Sequence, residues 1–197
     1  MGDAIRLGLV GIGKIARDQH LPAIRGDARF DLVATASRSA GQLPGVPEYL
    51  SIDALIAGDH DLQAVSLATP HQGRHALAKA AIEAGLHVMT EKPPAATLSE
   101  VEDLARRAQA KGVVLYTSWH SRAAAGVEPA RAWLRGKRVT GLRITWKEDV
   151  RRWHPGQEWI LGPGGFGVFD PGINALSIVT HILPDRHQLG LLGWCSP

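Results

Sequence analysis

From Ile5 to Ser118, short apolar runs alternate with stretches of helical character. Ile5, Leu7, Leu9 and Val10 open the series, and Asp31 to Ser37, Leu62 to Ala68, Leu86 to Thr90 and Val113 to Ser118 continue it. Near-continuous apolar runs of this length predict strands buried on both faces of a parallel sheet. Between them, helices are predicted over Lys14 to Ile24, Ile52 to Ala57, Gln72 to Ala84 and from Thr97 to about Lys111. Pro22 should kink or stop the first of these, because it disfavours helical geometry at Leu21. Ser51 is a plausible N-cap, Gly85 a C-cap, and Thr97-Leu98-Ser99-Glu100 a capping box. Gly41 to Tyr49 reads as a Gly/Pro-rich connection. Unbroken strand–helix alternation means an α/β domain with a doubly wound parallel sheet, and residues 1–118 are its predicted extent.

The pattern changes at Trp119. Val127 to Leu134 predicts a short helix. Val139 to Val150 alternates, with Leu142, Ile144 and Trp146 on one face and Arg143, Thr145 and Lys147 on the other. That period predicts a long strand with one covered face, as in an antiparallel sheet. A Gly-rich loop at Gly162 to Gly167 leads to Phe169-Asp170-Pro171-Gly172, and Ile173 to Ile182 reads as a helix with Asn174 in its first turn. Residues 119–197 are therefore expected to form a second, α+β unit. Gln188 to Pro197 shows no strand alternation and reads like a cut or a shifted frame.

The first strand runs into Gly11, Gly13 and Ala16, a G-x-G-x-x-A fingerprint opening a helix. In a dinucleotide-binding Rossmann domain the first glycine makes the tight turn, and the second lets backbone approach a pyrophosphate. The third position must be small for helix–strand packing. The helix N-terminus then faces the phosphates. Gly11, Ile12, Gly13, Lys14 and Ile15 are the expected cofactor turn. A glycine-rich turn of some other α/β protein is the plainer alternative. At the end of the second strand, NAD-preferring domains usually carry a carboxylate for the ribose 2′-hydroxyl. Ser37-Arg38 stands here instead, and suits a 2′-phosphate, so NADP is the expected cofactor, with NAD possible.

The chain has 197 residues, net charge +3 and a single cysteine, Cys195. One cysteine excludes an internal disulfide and a cysteine-based zinc site, which fits a reducing cytoplasm. No signal peptide or membrane-spanning run is read. The basic residues form no recognition stripe, which argues against nucleic acid and for a small anionic ligand. His71 and His75 are four apart, but no third ligand has suitable spacing, so no metal site is expected. Thr69, Pro70 and His71 are expected to line the nicotinamide side of the cofactor groove, and His20 reads as a loop histidine.

With GIGKIA at the start, EKPPA at Glu91 to Ala95 and FDPGIN at Phe169 to Asn174, the chain resembles the Gfo/Idh/MocA family. Within it, IGKIARDQHLPAI, ASR, WHSR, KEDVRRWHPGQ and GVFDPGINALSIVT resemble the bacterial L-arabinose and D-galactose 1-dehydrogenases. The resemblance runs from about Ile5 to Leu183. It implies oxidation of an aldose at the anomeric carbon, giving a lactone. It further implies Asp170 as base, Lys92 binding O1 and tuning it, and Asn174 on a sugar hydroxyl. His120, Glu148, Trp153 and His154 would complete the pocket, and Glu91 would touch the cofactor. Plainer readings stand beside these. Lys92 could be a surface lysine, although Pro93 and Pro94 hold it at the ligand-binding edge of the sheet. Asp170 could serve as a helix cap, and Lys92 could itself be the base. Core packing is the reading kept for Trp146 and Trp133. Relatives continue into an open antiparallel sheet through which they oligomerise. The second unit is thus expected to be truncated, loosely held and poor at oligomerising, with low or absent activity.

Overall fold

The computed structural model describes residues 3–39, 41, 43–167 and 169–183. The predicted irregular ending, Gln188 to Pro197, lies outside them. The chain divides into two compact units, Met1–Ser118 and Trp119–Pro197. Among the described residues no helix is long and apolar enough to cross a membrane.

The first unit is built on six strands: β1 (Ile5–Val10), β2 (Phe30–Ala36), β3 (Glu48–Tyr49), β4 (Ala64–Leu67), β5 (His87–Glu91) and β6 (Leu115–Ser118). All pair in parallel, in the order β3-β2-β1-β4-β5-β6. This is the Rossmann order, in which the chain reverses its direction of sheet growth between β1 and β4. Helices α1 (Leu21–Arg25), α2 (Ile52–Ala57), α3 (Arg74–Glu83) and α4 (Leu98–Lys111) fill the crossovers. On one sheet face Leu55, Ile82 and Leu104 pack against Val65, Leu67 and Val88. On the other, Leu9 packs with Ile12, Ala16, Leu21, Leu43 and Ala68. Covering both faces is what the apolar runs require. The Ser51 side chain accepts from Ala54 N, and Thr97 with Glu100 completes the capping box.

Pro22 does not stop its helix, because the turn before it is wider. Ala16–His20 is π-helical, with Leu21 N donating to Ala16 O, and α1 carries Pro22 in its first turn. The missing proline N–H is harmless there. The Gly41 to Tyr49 connection contains the two-residue edge strand β3, whose pairing with β2 the Gly/Pro content hid.

The second unit has α5 (Val127–Leu134), α6 (Val150–Trp153) and α7 (Phe169–Ile182), with 3-10 turns at His120–Ala123 and Glu158–Ile160. Arg122 Nε donates to Ser177 O at 3.1 Å, and His181 Nε2 lies 2.6 Å from Glu128 Oε1, joining α5 and its preceding turn to α7. The predicted strand Val139 to Val150 is not formed. Residues 139–149 have no regular structure, and Leu142, Ile144 and Trp146 are exposed. Alternation supplies an apolar face but not a ladder partner, and among the described residues of this unit there is no strand to provide one. Trp146 and Trp133 are therefore not core residues. Trp146 Nε1 donates to Glu148 Oε1 at 2.6 Å, and Lys137 Nζ sits 4.4 Å over the Trp133 ring. Helix α7 begins four residues earlier than predicted, at Phe169, because Pro171 is tolerated in a first turn.

Candidate functional site

In the first unit the glycine turn occupies the C-terminal edge of the sheet where the strand order reverses. Gly11 N donates to Ala36 O at 2.8 Å, tying the turn to the end of β2. Gly11 has φ +88°, and a Cβ there would lie 2.8 Å from Thr69 Cγ2 on the neighbouring edge of β4. Gly13 is different: a Cβ there would meet nothing within 4 Å. Ala16 is fully buried in the packing of helix on strand. The three positions thus divide into turn, open face and close packing, as a pyrophosphate-binding turn demands. Lys14 pairs with Asp18 one turn on. Ile12 is buried and Ile15 exposed.

The other cofactor candidates lie along the same edge. Ser37 follows β2, its N–H donating to Tyr49 O at 2.9 Å and its hydroxyl accepting from Ser39 N at 3.4 Å. Arg38 is exposed. Nearby, Glu48 accepts from the backbone N–H of Gly41 (2.6 Å) and of Leu43, holding the loop that follows Arg38. Thr69 follows β4, and its Oγ1 is buried with no hydrogen-bond partner among the described residues. His71 is buried beside it. An orphaned hydroxyl at the switch point, an open glycine and an exposed guanidinium fit a dinucleotide, which would lie over this edge.

Glu91 ends β5, and Lys92 follows it, half-buried, ahead of a cis Lys92–Pro93 bond. Two residues that the sequence reading missed organise this corner. Arg74, buried at the start of α3, donates from Nη1 to Glu91 O at 2.5 Å and to Pro93 O, and from Nη2 to Thr69 O. His20 is not a loop residue. It closes the π-helical turn, is 6% exposed, and bonds Ser66 Oγ and Glu91 Oε1, each at 2.9 Å. Neither partner is near in sequence, so no local pattern signals the role. His75 pairs with Asp103 Oδ2 at 2.9 Å rather than with His71, and no metal cluster occurs among the described residues. The carboxyl of Asp103 is lowered to about 2, chiefly by hydrogen bonds from Arg107 and then His75.

In the second unit Asp170 and Asn174 are buried one turn apart on α7, both 6% exposed. Asp170 lies in the helix's first turn, where the macrodipole favours an anion. His154 Nε2 stands 3.2 Å from Asp170 Oδ2, and its Nδ1 is 3.2 Å from Gln157 Oε1. The structure therefore brings His154 to Asp170, as a pocket would require. It does not gather the others in the same way. His120 and Glu148 are exposed, and Trp153 is 53% exposed with Arg152 Cζ 5.3 Å over its ring.

Comparison with known proteins agrees with this geometry. Residues 5–118 match the family model for Gfo/Idh/MocA, described as an oxidoreductase family with an NAD-binding Rossmann fold. The chain is 49% identical over 184 residues to a galactose 1-dehydrogenase of Pseudomonas fluorescens, covering 91% of this chain and 58% of that protein. It is 35% identical over 125 residues to a 1,5-anhydro-D-fructose reductase of Ensifer adhaerens, covering 61% and 38%. The crystal structure of a D-galactose-1-dehydrogenase from Rhizobium etli superposes with a TM-score of 0.87 at 54% identity, covering 93% of this chain and 59% of that one. The chain thus spans somewhat under three-fifths of the length of these two galactose dehydrogenases. The matched model covers the whole sheet from β1 to β6, and the chain belongs to the Gfo/Idh/MocA family of oxidoreductases with an NAD-binding Rossmann fold.

Proposed function

We propose that the chain is an NADP-preferring aldose 1-dehydrogenase, oxidising the C1 hydroxyl of a sugar of the D-galactose or L-arabinose type to its lactone. The observation that carries the chemical half is the buried Asp170 carboxylate, placed at a helix start with His154 at 3.2 Å. Similarity to galactose 1-dehydrogenases supports the substrate class. A dinucleotide bound there would supply the hydride acceptor for C1. Asp170 takes the proton from O1 as the C1–O1 bond becomes a carbonyl. A carboxyl group buried in the first turn of a helix, with an imidazole 3.2 Å away, is placed to take that proton. The family resemblance assigns O1 to Lys92 and a further hydroxyl to Asn174. His154 orients Asp170, while His120, Glu148 and Trp153 complete the sugar pocket. Gly11 to Ile15, Thr69, His71 and Glu91 would hold the dinucleotide, and Ser37 with Arg38 would take its 2′-phosphate. Residues 1–118 act as the dinucleotide-binding domain and 119–197 as part of the catalytic one.

A second reading is a dinucleotide-binding module without turnover. The exposure of His120, Glu148 and Trp153 favours it, since a working sugar pocket would enclose them. One spectrophotometric screen separates the two. The full chain is mixed with NADP or NAD and a panel of aldoses, and reduced dinucleotide is followed. Formation with galactose or arabinose supports the first reading. Dinucleotide binding with no reduction by any aldose supports the second.

A further inference from the structure

We propose that His20 is a positioning residue, which ties the helix after the glycine turn to the Glu91–Lys92 corner and, through the Glu91 carboxylate, holds the amide of Lys92. The inference rests on the reading of Lys92 as a functional lysine. His20 closes the π-helical turn Ala16–His20, in the helix that opens just after Gly13. Its ring is buried, and its two nitrogens reach two different strands, Ser66 Oγ on β4 and Glu91 Oε1 on β5, each at 2.9 Å. The second oxygen of the same carboxylate, Oε2, accepts the backbone N–H of Lys92 at 3.2 Å. One carboxylate thus links an imidazole on the phosphate-facing helix to the lysine's own amide.

Burial makes this link consequential. A carboxylate that is 9% exposed must be hydrogen-bonded, and losing its imidazole partner leaves it to turn elsewhere. Nε2 donates toward the carboxylate, and the Ser66 hydroxyl completes Nδ1 whichever way its proton points. Arg74 fastens the carbonyls of Thr69, Glu91 and Pro93, so the strand ends stay in place without His20. What His20 adds is the orientation of the Glu91 side chain, and through it of Lys92. The wider turn serves this purpose: a π-helical turn shifts the direction of the residue that closes it, and such turns recur at functional sites.

Two amide substitutions separate the ring's two bonds. Glutamine carries its amide nitrogen about as far as Nε2, so His20→Gln keeps the donor to Glu91. Asparagine reaches only as far as Nδ1, so His20→Asn keeps Ser66 and loses Glu91. Hydrogen exchange of the Lys92 amide is measured in the full chain. This amide is readily resolved because Pro93 and Pro94 carry no N–H. Steady-state rates with NADP and galactose are measured beside it. The Asn variant should lose protection at Lys92 and lower kcat by roughly 10- to 100-fold, the size expected for a displaced reactive group. The Gln variant should keep both the protection and most of kcat. Equal Lys92 protection in the Asn, Gln and unsubstituted proteins overturns the proposal, as does a loss common to both variants that follows their melting temperatures. If the unsubstituted chain reduces NADP with no aldose, the dehydrogenase reading fails. The exchange measurement still decides the role of His20.

Discussion

Replacing Gly11 and Gly13 separately by alanine should split folding from ligand binding. Gly11 has φ +88°, and its added Cβ would lie 2.8 Å from Thr69 Cγ2 and 3.1 Å from the Ala68 carbonyl carbon. A left-handed backbone costs an alanine roughly 1–2 kcal/mol. Overpacking against a wall that is partly backbone adds about 1–3 kcal/mol. Gly11→Ala should therefore destabilise by roughly 2–5 kcal/mol. At about 2–4 °C per kcal/mol, the melting temperature falls by on the order of 10 °C. Gly13 has no positive φ, and its added Cβ would touch no protein atom. Gly13→Ala should leave stability within about 0.5 kcal/mol. It should nevertheless weaken NADP binding roughly tenfold or more, because one charge-assisted bond to a phosphate is worth about 1.5–3 kcal/mol. Circular dichroism gives the melting curves, and titration calorimetry gives the affinities. A Gly13→Ala protein that melts as early as Gly11→Ala, or binds NADP as well as the parent, would refute the division of roles.

Arg38→Ala should weaken NADP by roughly 10- to 100-fold, the value of a charge-assisted bond, while leaving NAD within about twofold. Equal effects on both in parallel titrations would remove the 2′-phosphate assignment. Asp170→Ala should lower kcat by about 100-fold or more, the usual contribution of a positioned base, with NADP affinity unchanged. A variant that keeps its kcat beside a dead Lys92→Ala would reverse the two roles in the rate assay. Asp103 titrates at about 2 in the folded chain, below its ordinary 3.8, because Arg107 and His75 bond its charged form. The unfolded chain then takes up the proton first, so this stabilisation is complete above about pH 4 and is lost as pH falls toward 2. Asp103→Asn should flatten that part of the acid denaturation curve followed by fluorescence. Limited proteolysis should cut first within the exposed, irregular residues 139–149, and NADP should protect 1–118 preferentially. First cuts inside β1 to β6 would contradict that order on a mass-resolved digest.

Legibility along this chain followed the range of the interaction that fixes each residue. The glycine turn and the capping box of α4 are local. Each is set by residues a few positions apart, so spacing alone reveals them. Asp170 and Asn174 were legible for the same reason, being one helical turn apart, whereas the approach of His154 to Asp170 rests on a loop. His20 and Arg74 were illegible. His20 meets Ser66 and Glu91 across 46 and 71 residues, and Arg74 meets Pro93 across 19. An isolated histidine or arginine in a helical stretch carries no trace of such partners. Val139 to Val150 shows the converse error. Its alternation is real, but period 2 records only which side chains share a face, and backbone pairing is a property of two segments. Leu142, Ile144 and Trp146 therefore form an apolar face without becoming a strand. The same distinction explains why the first unit could be read so fully. Parallel strands covered on both faces write their burial into composition as well as period, so five segments announced one sheet without any partner being known in advance, and only the two-residue edge strand β3 escaped.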